Sequence, residues 1–120
     1  MERVVLIVED DPLIGLDLKE LVEEELDATA ILTTGHVEAV EALNETIDFV
    51  ILDAKLADGD AFELARRLVS EQIPFVFVSG YSKDDMPNDL QAAPFLAKPF
   101  REQDLVRVAR SLIPSLSEKD

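Results

Sequence analysis

Phe49-Val50-Ile51-Leu52-Asp53 is an apolar run that ends on a carboxylate. Such a short run, bounded by turn residues, reads as a buried strand, and ligands of open α/β sheets sit outside the carboxyl ends of the strands. Asp53 therefore stands at the mouth of a site. Leu56-Ala57-Asp58-Gly59-Asp60 follows, a turn-forming group that leads into a new apolar periodicity, so the carboxylate is presented where one element stops and the chain reverses.

Upstream, Val4-Val5-Leu6-Ile7-Val8 is apolar without alternation, as expected of a central parallel strand covered on both faces. It stops at Glu9-Asp10-Asp11-Pro12. Pro12 suits a first helical position and Asp11 suits a helix N-terminus, but three adjacent carboxylates repel one another and ask for a counter-ion. Leu13 to Leu26 reads as an amphipathic helix with Ile14, Leu18, Leu21 and Val22 on one face and Asp17, Glu20 and Glu24 largely on another. Ala28 to Thr33 is a second strand. A short helix over Val37 to Leu43, begun by Thr34 or Gly35, has Val37, Val40 and Leu43 as its expected buried stripe. His36 reads as a helix-start or surface residue rather than a phosphodonor.

Downstream, Ala61 to Val69 is a third helix expected to bury Phe62, Ala65, Leu68 and Val69 and to expose Glu63, Arg66 and Arg67. Ile73 to Val78 is a fourth strand, with Pro74 at its start where a missing donor is tolerated. It ends at Ser79-Gly80. From Tyr81 to Pro94 the apolar rhythm is lost, and only Asn88 to Ala93 is helix-capable, so one or two short turns and high mobility are expected. Phe95-Leu96-Ala97 is a fifth strand that ends at Lys98-Pro99-Phe100. A final helix from about Glu102 to Ile113 turns Leu105, Val108, Ala109 and Leu112 inward, Pro114 ends it, and the tail after it is expected to fray. Strands and helices alternate, which is the pattern of a doubly wound α/β domain.

The 120 residues fit one domain. Apolar content of 48% excludes a disordered chain. Absence of cysteine removes disulfides and thiolate zinc sites, and a single histidine removes multi-histidine metal sites. No signal peptide or apolar run of membrane-spanning length is evident, so a soluble, cytoplasmic protein is expected. With 26 acidic and 11 basic side chains, the net charge of -15 opposes direct nucleic-acid binding and favours divalent cations or basic protein surfaces.

If the strands are parallel, their carboxyl ends gather Glu9, Asp10, Asp53, Ser79 and Lys98. Paired carboxylates suit a hard cation such as magnesium. A further carboxylate can act as a nucleophile toward phosphorus, with a lysine and a hydroxyl to receive the phosphoryl oxygens. Val8-Glu9-Asp10-Asp11-Pro12, Leu52-Asp53 with Asp58-Gly59, Val78-Ser79-Gly80 and Lys98-Pro99-Phe100 together resemble the motifs of response-regulator receiver domains of two-component systems.

That resemblance covers nearly the whole chain. It implies a flavodoxin-like, five-stranded parallel sheet of three layers with strand order 2-1-3-4-5. It implies that Asp53 accepts a phosphoryl group from a kinase phosphohistidine. Asp10 and Asp53 would contact magnesium directly, Glu9 would hold it mainly through water, and Lys55 would add its backbone carbonyl. Ser79 would be the switch hydroxyl, Lys98 the phosphate-binding lysine and Phe95 the aromatic switch residue, with Ala54, Gly80 and Tyr81 as accessory positions. Pro74 to Tyr81, Pro87 and Pro94 to Phe100 are similar to the FAT GUY subgroup. Its members have a short or disordered fourth helix and partner kinases of the HWE or HisKA2 class.

Two positions depart from the common pattern. Ala57 replaces a frequent proline in the loop after Asp53, and serine replaces the commoner threonine at position 79. The weak fourth helix bears on the usual dimer face, so a monomer or a weak phosphorylation-dependent dimer is expected. The leading expectation is a stand-alone receiver that assists its own phosphorylation and dephosphorylation, with an unknown downstream protein partner; one domain of a longer regulator is the other arrangement. The alternatives are a phosphate sink without output, a small magnesium-dependent phosphohydrolase with an aspartyl nucleophile, and a flavodoxin-like FMN module. The second lacks room for a substrate-covering cap, and in the third Glu9 to Pro12 would repel the phosphate.

Overall fold

The computed structural model describes residues 2–113. Five parallel strands form one sheet: β1 (Val4–Val8), β2 (Thr29–Thr33), β3 (Phe49–Asp53), β6 (Phe75–Ser79) and β7 (Phe95–Ala97), in the order β2-β1-β3-β6-β7. Between β3 and β6 lies a separate antiparallel ribbon of β4 (Lys55–Leu56) and β5 (Gly59–Asp60). The four α-helices are α1 (Pro12–Glu25), α2 (His36–Ala42), α3 (Phe62–Ser70) and α4 (Glu102–Leu112). The expected doubly wound architecture and strand order are both present. The tail after Pro114 lies outside the described residues.

The central strands lack polar alternation because both of their faces are covered. Leu6, Val8, Val50, Leu52, Phe75 and Phe77 point into a layer closed by α2 and α3. Val5, Ile7, Phe49, Ile51, Val76 and Val78 point into the other, closed by α1 and α4. Period-two side-chain direction thus splits one apolar run between two cores. Phe75 and Phe77 meet edge to face with centroids 5.3 Å apart.

Local chemistry sets the helix starts. Asp11 caps α1, its Oδ1 accepting from the Leu13 and Ile14 N–H groups at 2.9 and 3.3 Å, with Pro12 behind it. Gly15 lets α1 approach β2, since a Cβ there would lie 2.9 Å from Leu32 Cδ1.

Two expected stripes are corrected. In α2, Val37 and Val40 are exposed, 70% and 44%, and the core contact is made by Ala39 together with Leu43. The small Ala39 allows close approach to β1, and a seven-residue helix has only about two turns from which to define a buried face. In α3, Val69 is 57% exposed while Leu64 is buried. The buried set Ala61, Leu64, Ala65 and Leu68 has i, i+3, i+4, i+7 spacing, and Val69 falls at its edge in the last turn.

The irregular stretch after β6 forms two short 3₁₀ turns, Lys83–Asp85 and Asn88–Leu90. Met86 and Leu90 fix it to the core, and the Asp85 carboxylate accepts from the Ser82 N–H at 3.0 Å. One turn falls within the expected helix-capable piece; the other falls in 83–85, which carries no apolar stripe.

Candidate functional site

Register sets the site. Val8 pairs with Leu52 and Asp53 with Val78, so Glu9, Asp53 and Ser79 emerge at one end of neighbouring strands. β7 pairs with the end of β6, Ser79 opposite Ala97, and Lys98 follows directly, its N–H donating to the Ser79 carbonyl at 2.7 Å. The Lys98–Pro99 peptide is cis.

The Lys98 ammonium joins two carboxylates, at 2.7 Å from Glu9 Oε1 and 3.1 Å from Asp53 Oδ2. Glu9 is 1% exposed and Asp53 is 5% exposed, so both interactions are made away from bulk water and are only weakly screened. Glu9 also accepts from the Asp11 N–H at 3.1 Å through Oε2. Burial pushes the Glu9 carboxyl up from its usual range and the Asp53 charge adds to this, while bonds from Lys98 and Asp11 pull the other way without prevailing. For Lys98, burial alone would push the amine down, but the Glu9 hydrogen bond and the charges of Asp53 and Glu9 together hold it up.

Glu9, Asp10 and Asp53 each offer an oxygen within 4.8 Å of the others. Three hard oxygen donors, two of them buried, fit a divalent cation. Asp11 stays out of this group because its carboxylate caps α1.

The remaining expected residues surround this centre. Asp53 Oδ1 accepts from the Lys55 N–H at 3.1 Å, and the Lys55 ammonium lies 6.0 Å from the Tyr81 ring centroid. Ser79, 1% exposed, accepts through Oγ from the Tyr81 N–H at 3.1 Å. Ala54 is fully buried and its carbonyl accepts from the Ala61 N–H. A Cβ at Gly80 would meet open space. Phe95 is partly buried and packs on the α2–α3 core next to Tyr81's side of the sheet.

The structure adds one group that sequence reading set aside. His36 starts α2, as expected, but its ring is engaged with Asp58 and Asp60 of the β4–β5 ribbon. Its partners are more than twenty positions away along the chain, so no local spacing announces the contact.

A doubly wound parallel sheet with three carboxylates and a lysine at its carboxyl pole is an α/β domain whose acidic cluster could hold a divalent cation. The pattern of the response regulator receiver domain matches residues 5–110, and the chain belongs to that family. Members act as phosphoacceptors for a histidine kinase or phosphotransfer protein in two-component signalling, not as enzymes on separate metabolites. The chain is 35% identical over 109 residues to the transcriptional regulatory protein PdtaR of Mycobacterium tuberculosis, covering 87% of this chain and 53% of that protein. It thus spans about half the length of the curated relatives it matches.

Among solved structures, SdrG from Sphingomonas melonis is similar with a TM-score of 0.79 and 32% identity, over 93% of this chain and 97% of that one. The receiver domain of PhyR from Erythrobacter litoralis is similar with a TM-score of 0.81 and 25% identity, over 99% and 95%. Among the described residues, no helix is long and apolar enough to cross a membrane.

Proposed function

We propose that this chain is a magnesium-dependent phosphoacceptor, phosphorylated on Asp53 and acting through protein contacts in the cytoplasm. The observation that carries the reading is the Lys98 ammonium held between Glu9 and Asp53 beside the three-carboxylate group. An Asp53 oxygen attacks the phosphorus of a donor phosphohistidine; the P–O bond forms, the P–N bond breaks, and its electron pair leaves on the donor imidazole. Asp10, Asp53 and the Lys55 carbonyl would hold the cation directly, and Glu9 would hold it mainly through water. When bound, the cation neutralises charge on the phosphoryl oxygens.

This chain's own residues supply the rest. Lys98 keeps its proton, being pushed up by its acidic partners, and offers a permanent positive charge to a phosphoryl oxygen. Ser79 leaves its bond with the Tyr81 N–H to donate to another oxygen. Freed from that bond, Tyr81 and the segment behind it can shift, and Phe95 follows. Ala54 and Gly80 leave the phosphoryl approach unobstructed, one by burial of a small side chain and the other by having none.

Two short 3₁₀ turns where receivers have a fourth helix, together with Val78-Ser79-Gly80-Tyr81 and Pro94 to Phe100, support membership of the FAT GUY subgroup. A kinase of the HWE or HisKA2 class is the matching donor. A monomer or a weak phosphorylation-dependent dimer suits a chain whose usual dimer face is reduced.

Intact mass after incubation with magnesium and acetyl phosphate tests the reading. A phosphoryl-sized gain that disappears without metal is expected. Labelling retained in Asp53→Asn would overturn it.

A further inference from the structure

His36 sits at the first position of α2 and reaches across to the ribbon that follows Asp53. Its N–H donates to Asp58 Oδ2 at 3.0 Å, its Nδ1 lies 2.8 Å from Asp58 Oδ1, and its Nε2 lies 2.7 Å from the Asp60 carbonyl oxygen. Two glycines make room for the arrangement. A Cβ at Gly35 would stand 2.9 Å from Asp58 Oδ2, and Gly59 has a φ of +126°, which side-chain-bearing residues rarely adopt.

Both ring nitrogens face acceptors. One meets the Asp58 carboxylate and the other the Asp60 carbonyl, so the ring spans the gap from α2 to the ribbon. The Asp58 carboxyl is held below its usual range by the His36 N–H first and the ring second. The other acids nearby are occupied. Asp60 turns its carboxylate to the Phe62 N–H at 3.1 Å, and Glu38 of α2 accepts from Thr34.

The ribbon carries this clamp to the site. Asp60 pairs with Lys55 across it, and the Lys55 N–H donates to Asp53 Oδ1. We infer that His36 is a positioning residue for the Asp53 centre: it fixes the β4–β5 ribbon, through Asp58 and Asp60, so that the Lys55 backbone stays aligned with the carboxylates, and cation affinity depends on that clamp. The inference rests on the reading of that centre as a magnesium site. Outer contacts that orient a metal's ligands contribute to affinity without touching the metal.

Magnesium titration of the full chain, followed by the amide signals of Asp53 and Lys55, tests this without any phosphoryl donor. Folded His36→Gln and Asp58→Asn should each bind about tenfold more weakly, the low end of the loss seen when outer contacts are removed, with the Lys55 amide signal displaced before metal is added, and the double variant should be no weaker than either. Magnesium-binding wild type with folded variants of unchanged affinity, or with losses that add in the double variant, would overturn the clamp alone. Wild type that takes up no magnesium would instead overturn the reading of the centre, and the clamp's role with it.

Discussion

Two segments leave the sheet beside Asp53, and they are held in opposite ways. Residues 54–61, after β3, are closed by a ribbon, anchored by buried Leu56 and bolted to α2 through His36. Residues 80–94, after β6, have only two short turns, the apolar anchors Met86 and Leu90, and an exposed ion pair from Arg66 to Asp89. The first carries the backbone that abuts Asp53; the second carries Tyr81, whose N–H holds Ser79. Under the proposed function the difference gives them separate work. A segment that positions a cation must stay still, whereas one that reports phosphorylation must have a second arrangement within reach.

The comparison rests first on Asp53. Asp53→Asn should abolish acyl-phosphate formation altogether while circular dichroism shows the fold retained, because the amide keeps the shape and removes the nucleophilic charge. Lys98 would still have Glu9 as an ion-pair partner. Full labelling of the variant at another carboxylate would place the chemistry elsewhere and remove the asymmetry between the two segments.

Matched truncations cut deeper into the comparison. Leu56 and Leu90 are 3% and 2% exposed, so Leu56→Ala and Leu90→Ala should each destabilise the fold by about 2–4 kcal/mol in urea titrations. Their effects on chemistry should part. The ribbon variant is expected to weaken magnesium-dependent labelling, and the Leu90 variant to leave it near wild type under conditions where both remain folded. Equal loss of labelling in both would show that the segments are one unit.

Much of this was legible in the chain. The runs ending at Val8, Leu52 and Val78 are apolar without alternation because their strands are buried on both sides, and the polar residues that follow them must therefore lie at the sheet's end. That logic puts Glu9, Asp53 and Ser79 at the sheet's end, and Lys98 reaches it by following β7. It failed where a local period was too short to define a face. The short α2 and its cap allow Leu43 to be joined either by Val37 and Val40 or by Ala39, and the packing of the core selects Ala39. The two-residue strands β4 and β5 have no period to read. The His36 clamp joins residues brought together by the fold, not by spacing.

Mobility gives a smaller, direct contrast. Backbone amide relaxation should find residues 82–93 more mobile than α1, α3 and the ribbon at 54–60, since their backbone bonding is confined to single turns such as Asp85 to Ser82 and Leu90 to Pro87. Uniform order across both segments would remove the argument that the second one carries the response.

The smallest expected effect comes from Asp89. The Arg66 guanidinium donates to both of its oxygens, at 2.8 and 3.2 Å, and holds its carboxyl below the usual 3.8. The sign follows from linkage: a carboxyl depressed by folding contributes stability above its unfolded value and loses it as pH falls through the depressed folded value. The pair is exposed, so overall stability should scarcely register the change. Its trace should be local. As pH is lowered past 3.8, amide exchange at Leu90 and Ala93 should quicken before that of the ribbon does, and Asp89→Asn should show the quicker exchange already at neutral pH. A ribbon that loosened first would mean that the better-fastened segment is the one after β6, and the roles given to the two would have to be exchanged.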